Sequence, residues 1–249
     1  MSVQINYKSS YQKNKYSSLL LFVDEKFSIL SLKKYFSISE FQFVSDLLKS
    51  SDLKKKILFF DTSSKRRIYL VSIKENIKNS EAENLGAKLF NIIKGDNKSN
   101  IVINSDTLSN KLKNVIGYFL HGLKLKSYIF EKYKSKKNNK NISIVVTGKN
   151  ITRKLDQIKF RSIEEGTFYT RDLVSEPGNI LHPDEYAKRI NTLKKFGLKI
   201  NIYDEKKLKK LGMNTLLGVG QGSVRGSYLV TMEWNGLKDK SKPLAFVGK

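Results

Sequence analysis

The chain contains no cysteine, which excludes disulfide staples, thiolate metal sites and cysteine nucleophiles. It has two histidines, His121 and His182, too few for a histidine-rich zinc site and a poor basis for a catalytic triad. Any metal chemistry therefore has to use carboxylates, lysine or backbone oxygens. Proline is scarce too, and Pro177, Pro183 and Pro243 all fall in the last third of the chain. No run of about 18 apolar residues occurs, so no membrane-spanning helix is expected. The opening MSVQINYKSSYQKNKYSS has lysines but no apolar core behind them, and the later LLLFV is too short for a signal peptide. A cytoplasmic protein with no membrane partner is the expectation.

Acids are few against bases: 23 Asp and Glu face 47 Lys and Arg, for a formal charge of +24. Such a balance commonly marks a nucleic-acid partner. Only seven of the bases are arginine, the residue suited to planar recognition of phosphate and guanine. The lysines are spread among asparagines and isoleucines like a background composition. Up to Phe160 there are 31 bases and 13 acids, so the excess belongs to the first region. Both a solvated basic face and a nucleic-acid surface, DNA included, stay open.

At 249 residues with 39% hydrophobic content, the chain can hold one large domain or one domain and part of another. Short apolar runs at 18–23, 56–61, 67–73, 100–105 and 141–147 have the length and β-branched or aromatic content of buried strands. Between them, residues 80–93 read as a helix with Leu85, Leu89 and Ile92 inward and Ser80 able to cap it. Residues 108–123 read as another, with Leu112, Val115, Ile116 and Phe119 inward. Alternating strands and helices predict an α/β layer fold.

Residues 124–140 interleave Tyr128, Phe130 and Tyr133 with lysines, as single-strand nucleic-acid binders do. The competing expectation is that the aromatics pack on the domain and the lysines line a loop. Residues 155–174 suit one long helix whose inward stripe is Leu155, Ile158, Ser162, Gly166, Tyr169 and Leu173. Glu164 and Glu165 on it read as a solvated face, since adjacent carboxylates on a helix diverge.

Pro177 forces Glu176 out of helical geometry and Pro183 suits a first helical position, so 171–183 should be a helix end, a sharp turn and a helix start. A helix over 183–196 follows, with Asp184 and Glu185 first, Lys194 and Lys195 last and Gly197 just beyond. His182 precedes it as a cap or surface residue, with no chemistry assigned. Strands at 198–204, 227–234 and 243–247 and a short helix over 205–211 continue an α/β pattern, with a parallel pairing expected.

Nucleotide motifs fail on inspection. In GVGQGSVRG, Ser223 stands where the dinucleotide pattern needs its third glycine. Neither Gly148-Lys149 nor Gly248-Lys249 has the preceding glycine or following hydroxyl of a phosphate loop. No serine sits in a GxSxG elbow. Lys249 lies just past a predicted strand, where α/β sheets tend to place sites, though taken alone it reads as an exposed lysine.

The stretches RDLVSEPGN, LKKLGMNTLLGVGQGS and PLAFVGK, with GYFLHGLKLKSYIFEKYKSKK upstream, resemble the leucyl (cytosol) aminopeptidases. The resemblance implies a macro-like α/β domain over 1–150, a linker helix over 151–174 and the start of a metallopeptidase domain over 175–249. It implies removal of amino-terminal residues from peptide substrates, two divalent metal ions (manganese or zinc) and a homohexamer; some relatives also bind DNA. Lys249 matches a lysine that ligates one metal there, a role open only to the neutral amine, which an adjacent dication favours. The family's other ligands follow that lysine, so the expectation is an amino-terminal half that does not hydrolyse peptides alone. A non-catalytic remnant is the alternative.

Overall fold

The structure is a computed structural model and describes residues 2–8, 17–96, 100–137, 140–236 and 242–248. The chain divides between Thr170 and Arg171 into two compact units.

The first unit is built on a six-stranded sheet of order β1-β6-β5-β2-β4-β3. Its strands are β1 (Ser2–Lys8), β2 (Ser18–Val23), β3 (Ile57–Ser63), β4 (Arg66–Ser72), β5 (Asn100–Asn104) and β6 (Asn141–Thr147). All pairings are parallel except β3 with β4. A parallel sheet must be covered on both faces, and β2 shows this directly, with all six residues buried. Leu20 and Phe22 face the core built with α2 (Asn79–Ile93) and α3 (Val115–Lys126). Leu19, Leu21 and Val23 face the opposite core with Phe27, Leu32, Phe36 and Val44 of α1 (Ile38–Ser50). The period of two along a strand produces both faces from one run.

Helix boundaries follow local chemistry. Ser37 caps α1: its hydroxyl accepts from the Glu40 amide, while Glu40 accepts from the Ser37 amide at 2.8 Å. At α2 the predicted cap Ser80 lies inside the helix, and the boundary residue is Lys78, whose amide donates to Glu81 Oε2 at 2.9 Å. The single helix predicted over 108–123 is one short 3-10 turn, Asn110–Leu112, followed by α3, because the Ser109, Asn110 and Asn114 carbonyls close local turns before a full helix can run. The strand β1 and helix α1 carry no sequence expectation and are additions.

Helix α4 (Lys154–Ser175) buries no residue completely. Of its predicted inward stripe, Leu155, Ile158, Ser162 and Gly166 are exposed. The half-buried line is Gln157, Phe160, Glu164 and Phe168, one step around the helix. Phe160 lies over α3, where a Cβ on Gly117 would stand 2.7 Å from its ring. The missing side chain of Gly117 thus selects the face that packs.

The second unit contains α5 (Pro183–Asn191), a 3-10 turn to Phe196, β7 (Lys199–Tyr203), α6 (Glu205–Lys210), α7 (Asn214–Gly220) and β8 (Leu229–Glu233). Gly197 and Gly212 end their helices at φ of 90° and 71°. The expected parallel pairing is not found here: β7 and β8 are antiparallel, with Tyr203 opposite Leu229. The helices between them form a closed excursion at one end of the pair, and a strand that returns without crossing the sheet must run antiparallel. The predicted strand at 243–247 is unpaired, with Leu244, Phe246 and Val247 each more than four-fifths exposed. No described strand lies alongside to supply its hydrogen bonds.

Candidate functional site

Lys249, the predicted metal ligand, lies outside the described residues. Among the described residues no group of three or more His, Asp or Glu side chains could hold a metal ion. These residues do not make up a metal centre by themselves.

What the second unit does present is a firmly held turn leading to that end of the chain. Helix α4 stops at Ser175, one residue before the Pro177-restricted Glu176. The Glu176 side chain is almost completely buried and takes Arg189 Nη1 at 2.9 Å; Arg189 Nε reaches Glu185 at 3.0 Å. One arginine thereby ties the turn to α5. His182 occupies the cap position and pairs through Nδ1 with Asp184, which also faces Arg225 at 3.7 Å. The glycine-rich segment forms α7 and then a tight turn, in which Ser223 N donates to the Gly220 carbonyl at 3.0 Å. Glu205 Oε1 accepts from the Ser227 amide at 3.2 Å and anchors the far side of that turn.

The first unit holds a second arrangement that sequence patterning missed. A cleft of about 580 Å³ runs between β1, α3 and α4. Inside it His121 Nδ1 and Glu164 Oε1 lie 2.9 Å apart, with the imidazole 6% and the carboxylate 12% exposed. Glu164 is therefore not part of a solvated face, whereas Glu165 is exposed and paired with Arg161 Nε at 2.8 Å. Lys124 Nζ donates to the Val3 carbonyl of β1. Burial raises the Glu164 carboxyl above its ordinary range, with His121 and Lys124 pulling the other way. Burial also depresses the Lys124 ammonium, which Glu164 partly offsets. The Tyr7 hydroxyl is pushed up by burial, and the nearby Glu164 charge adds to this.

The aromatic and basic stretch beyond α3 is partly spent on internal packing. Tyr128 lies against Phe168 at 5.4 Å and Phe130 against Tyr133 at 5.8 Å. Lys132 sits over the Tyr133 ring.

Comparison with known proteins bears on the second unit most directly. Residues 168–249 match the model of the cytosol aminopeptidase family, catalytic domain. A probable cytosol aminopeptidase of Brucella anthropi is 46% identical over 137 residues, 51% of this chain and 27% of that protein. One from Phytoplasma mali is 47% identical over 139 residues, 53% of this chain and 28% of that protein. Residues 168–249 are thus similar to the catalytic domain of the cytosol aminopeptidases. The fold agrees along most of the chain: a tomato leucine aminopeptidase variant superposes with a TM-score of 0.73 at 18% identity, over 93% of this chain and 50% of that one. A cytosol aminopeptidase from Coxiella burnetii gives 0.66 at 16% identity, over 93% and 47%. The chain thus spans about half the length of these aminopeptidase structures and matches about a quarter of the curated relatives. Among the described residues no helix is long and apolar enough to cross a membrane.

Proposed function

We propose that this chain carries the amino-terminal portion of a metal-dependent leucyl aminopeptidase, which releases amino-terminal residues from peptides. The observation that carries the proposal is the family match over 168–249, the stretch that leads to Lys249. By the same resemblance Lys249 contributes one ligand to a centre of two divalent ions, manganese or zinc, and the carboxylate ligands come from aminopeptidase sequence beyond this stretch. A macro-like domain over 1–150, a linker helix over 151–174, a cytoplasmic location and homohexamer assembly belong to the same proposal.

The surface of the second unit supports a need for further partners. Leu244, Phe246, Val247, Val219 and Trp234 are all well exposed, and the β7–β8 pair is only two strands wide. Two-stranded sheets are marginal alone and gain stability from added strands or a covering layer. A polypeptide of these 249 residues is accordingly proposed to be inactive unless completed.

Leucine release from leucine amide tests this, measured with manganese or zinc for the 249-residue chain alone and after fusion to the remaining portion of the Phytoplasma mali relative. Metal-dependent turnover by the fusion only is the expected result. Turnover by the 249 residues alone, or none by a folded, metal-loaded fusion, would overturn the proposal.

A further inference from the structure

We propose that the cleft between β1, α3 and α4 is a binding site for a short peptide, held through its two charged termini and its backbone. Every residue lining this cleft lies in the first unit, and Phe168 alone among them falls within the stretch that matches the aminopeptidase catalytic domain.

The floor of the cleft is β1, the edge strand of the sheet among the described residues. Among those residues β1 pairs with β6 alone. Lys124 Nζ reaches the Val3 carbonyl of β1 inside the cleft. The N–H and C=O of one strand residue point to the same side, and alternate residues share it. Val3 to Tyr7 all line the cleft, and the β1 backbone groups that β6 does not take, which alternate along the strand, are those a ligand can pair with. An extended peptide is the ligand that can pair with such groups.

The walls supply one site for each terminus. Lys124 is a half-buried ammonium with three donors, of which one is used, on a single carbonyl. Among the described residues no carboxylate lies within 4 Å of it, so a ligand carboxylate would complete it. Glu164 spends Oε1 on His121 and leaves Oε2 without a partner among the described residues, an acceptor for a ligand ammonium. Phe160 and Phe168 provide apolar surface beside these charges. The volume of about 580 Å³ falls within the roughly 300–1,000 Å³ of small-ligand sites. Burial depresses Lys124 and raises Glu164, and the two charges offset this for each other only in part.

Calorimetric titration of the whole 249-residue chain in EDTA tests the site without involving any metal centre, so its outcome is separate from that of the aminopeptidase proposal. The probes are Leu-Gly-Gly, its N-acetyl form, its C-terminal amide, and free leucine. Leu-Gly-Gly should bind, and each blocked form should bind at least about tenfold more weakly, the scale of one hydrogen bond to a charged group. Free leucine, which cannot pair along β1, should also be weaker. Lys124→Met should abolish the distinction between acid and amide, and Glu164→Gln the distinction between amine and acetyl. Should either variant not fold, amide shifts in the wild-type chain decide: they should map to residues 3–7 and 157–168. No binding, equal binding of the blocked peptides, leucine as tight as Leu-Gly-Gly, or shifts mapping elsewhere would overturn the proposal.

Discussion

A methyl group on Gly122 would stand 2.0 Å from the Glu83 carbonyl oxygen, and one on Gly86 would stand 1.8 Å from that of Phe119. These two glycines let α2 and α3 cross backbone to backbone, and the obstructing atoms are main chain that cannot swing aside. Gly86→Ala or Gly122→Ala should each cost about 1–3 kcal/mol or more, read as a lower urea midpoint; an unchanged midpoint would contradict the packing described. Glu164 gives a pH prediction. Its folded-state pKa is raised by burial, so the folded chain takes up a proton more readily than the unfolded one. The associated stability is present below the ordinary carboxyl range and is lost as pH rises through the raised value. Glu164→Gln, which mimics the protonated form, should therefore gain on wild type as pH climbs from 4 to 7 in urea titrations. A constant difference across that range would count against it. Neither the glycine crossing nor the His121–Glu164 pair is legible in the sequence, because the partners are distant in the chain and polar pairs leave no hydrophobic period. A trace does exist in hindsight: Phe160, Glu164 and Phe168 recur every four residues, as do Gly117 and His121.

At the scale of elements, five strands of the first unit and both strands of the β7–β8 pair are where the apolar residues put them, as a continuous run in the fully buried β2 and as shorter segments in the largely exposed β7–β8 pair. β1 escapes notice because an edge strand needs only one paired side, and SVQINYK alternates instead of forming a run. Helix α1 is announced by its capping pair more than by its apolar pattern. Ser37→Ala should therefore lower stability by about 1 kcal/mol, measured by urea unfolding, and a neutral substitution would mean the cap is redundant. Helix α4 tests the corrected face: Phe160→Ala removes the ring that packs on Tyr118 and His121 at 5.1 and 5.0 Å. Amide exchange should accelerate across 154–168 while β2 and β5 keep their protection. The same acceleration after Ile158→Ala would instead favour the face that periodicity suggested.

The whole molecule carries its positive charge mainly in the first unit, and composition alone leaves its meaning open. If the lysines past α3 form a nucleic-acid surface, binding of single-stranded DNA should weaken steeply with salt and disappear when Lys132, Lys134, Lys136 and Lys137 are neutralised together. The internal stacking of Tyr128 on Phe168 removes one ring from such a surface, and salt-insensitive or unaltered binding would exclude this patch. The similarity of residues 168–249 to the aminopeptidases was legible from a few short stretches around the turns, where Pro177, Pro183 and the glycine-rich segment impose unusual backbone. Lys249 was legible as a metal ligand only through the resemblance, and a site assembled from distant parts of a chain cannot be read from one of them. The most direct measurement is therefore metal content and leucine amide turnover of the chain fused to the remaining portion of the Phytoplasma mali relative, with and without Lys249→Ala. Two bound divalent ions, falling by at least one in the variant with turnover lost, is the predicted result. Undiminished metal binding and turnover in the variant would contradict the assignment of Lys249 as a ligand.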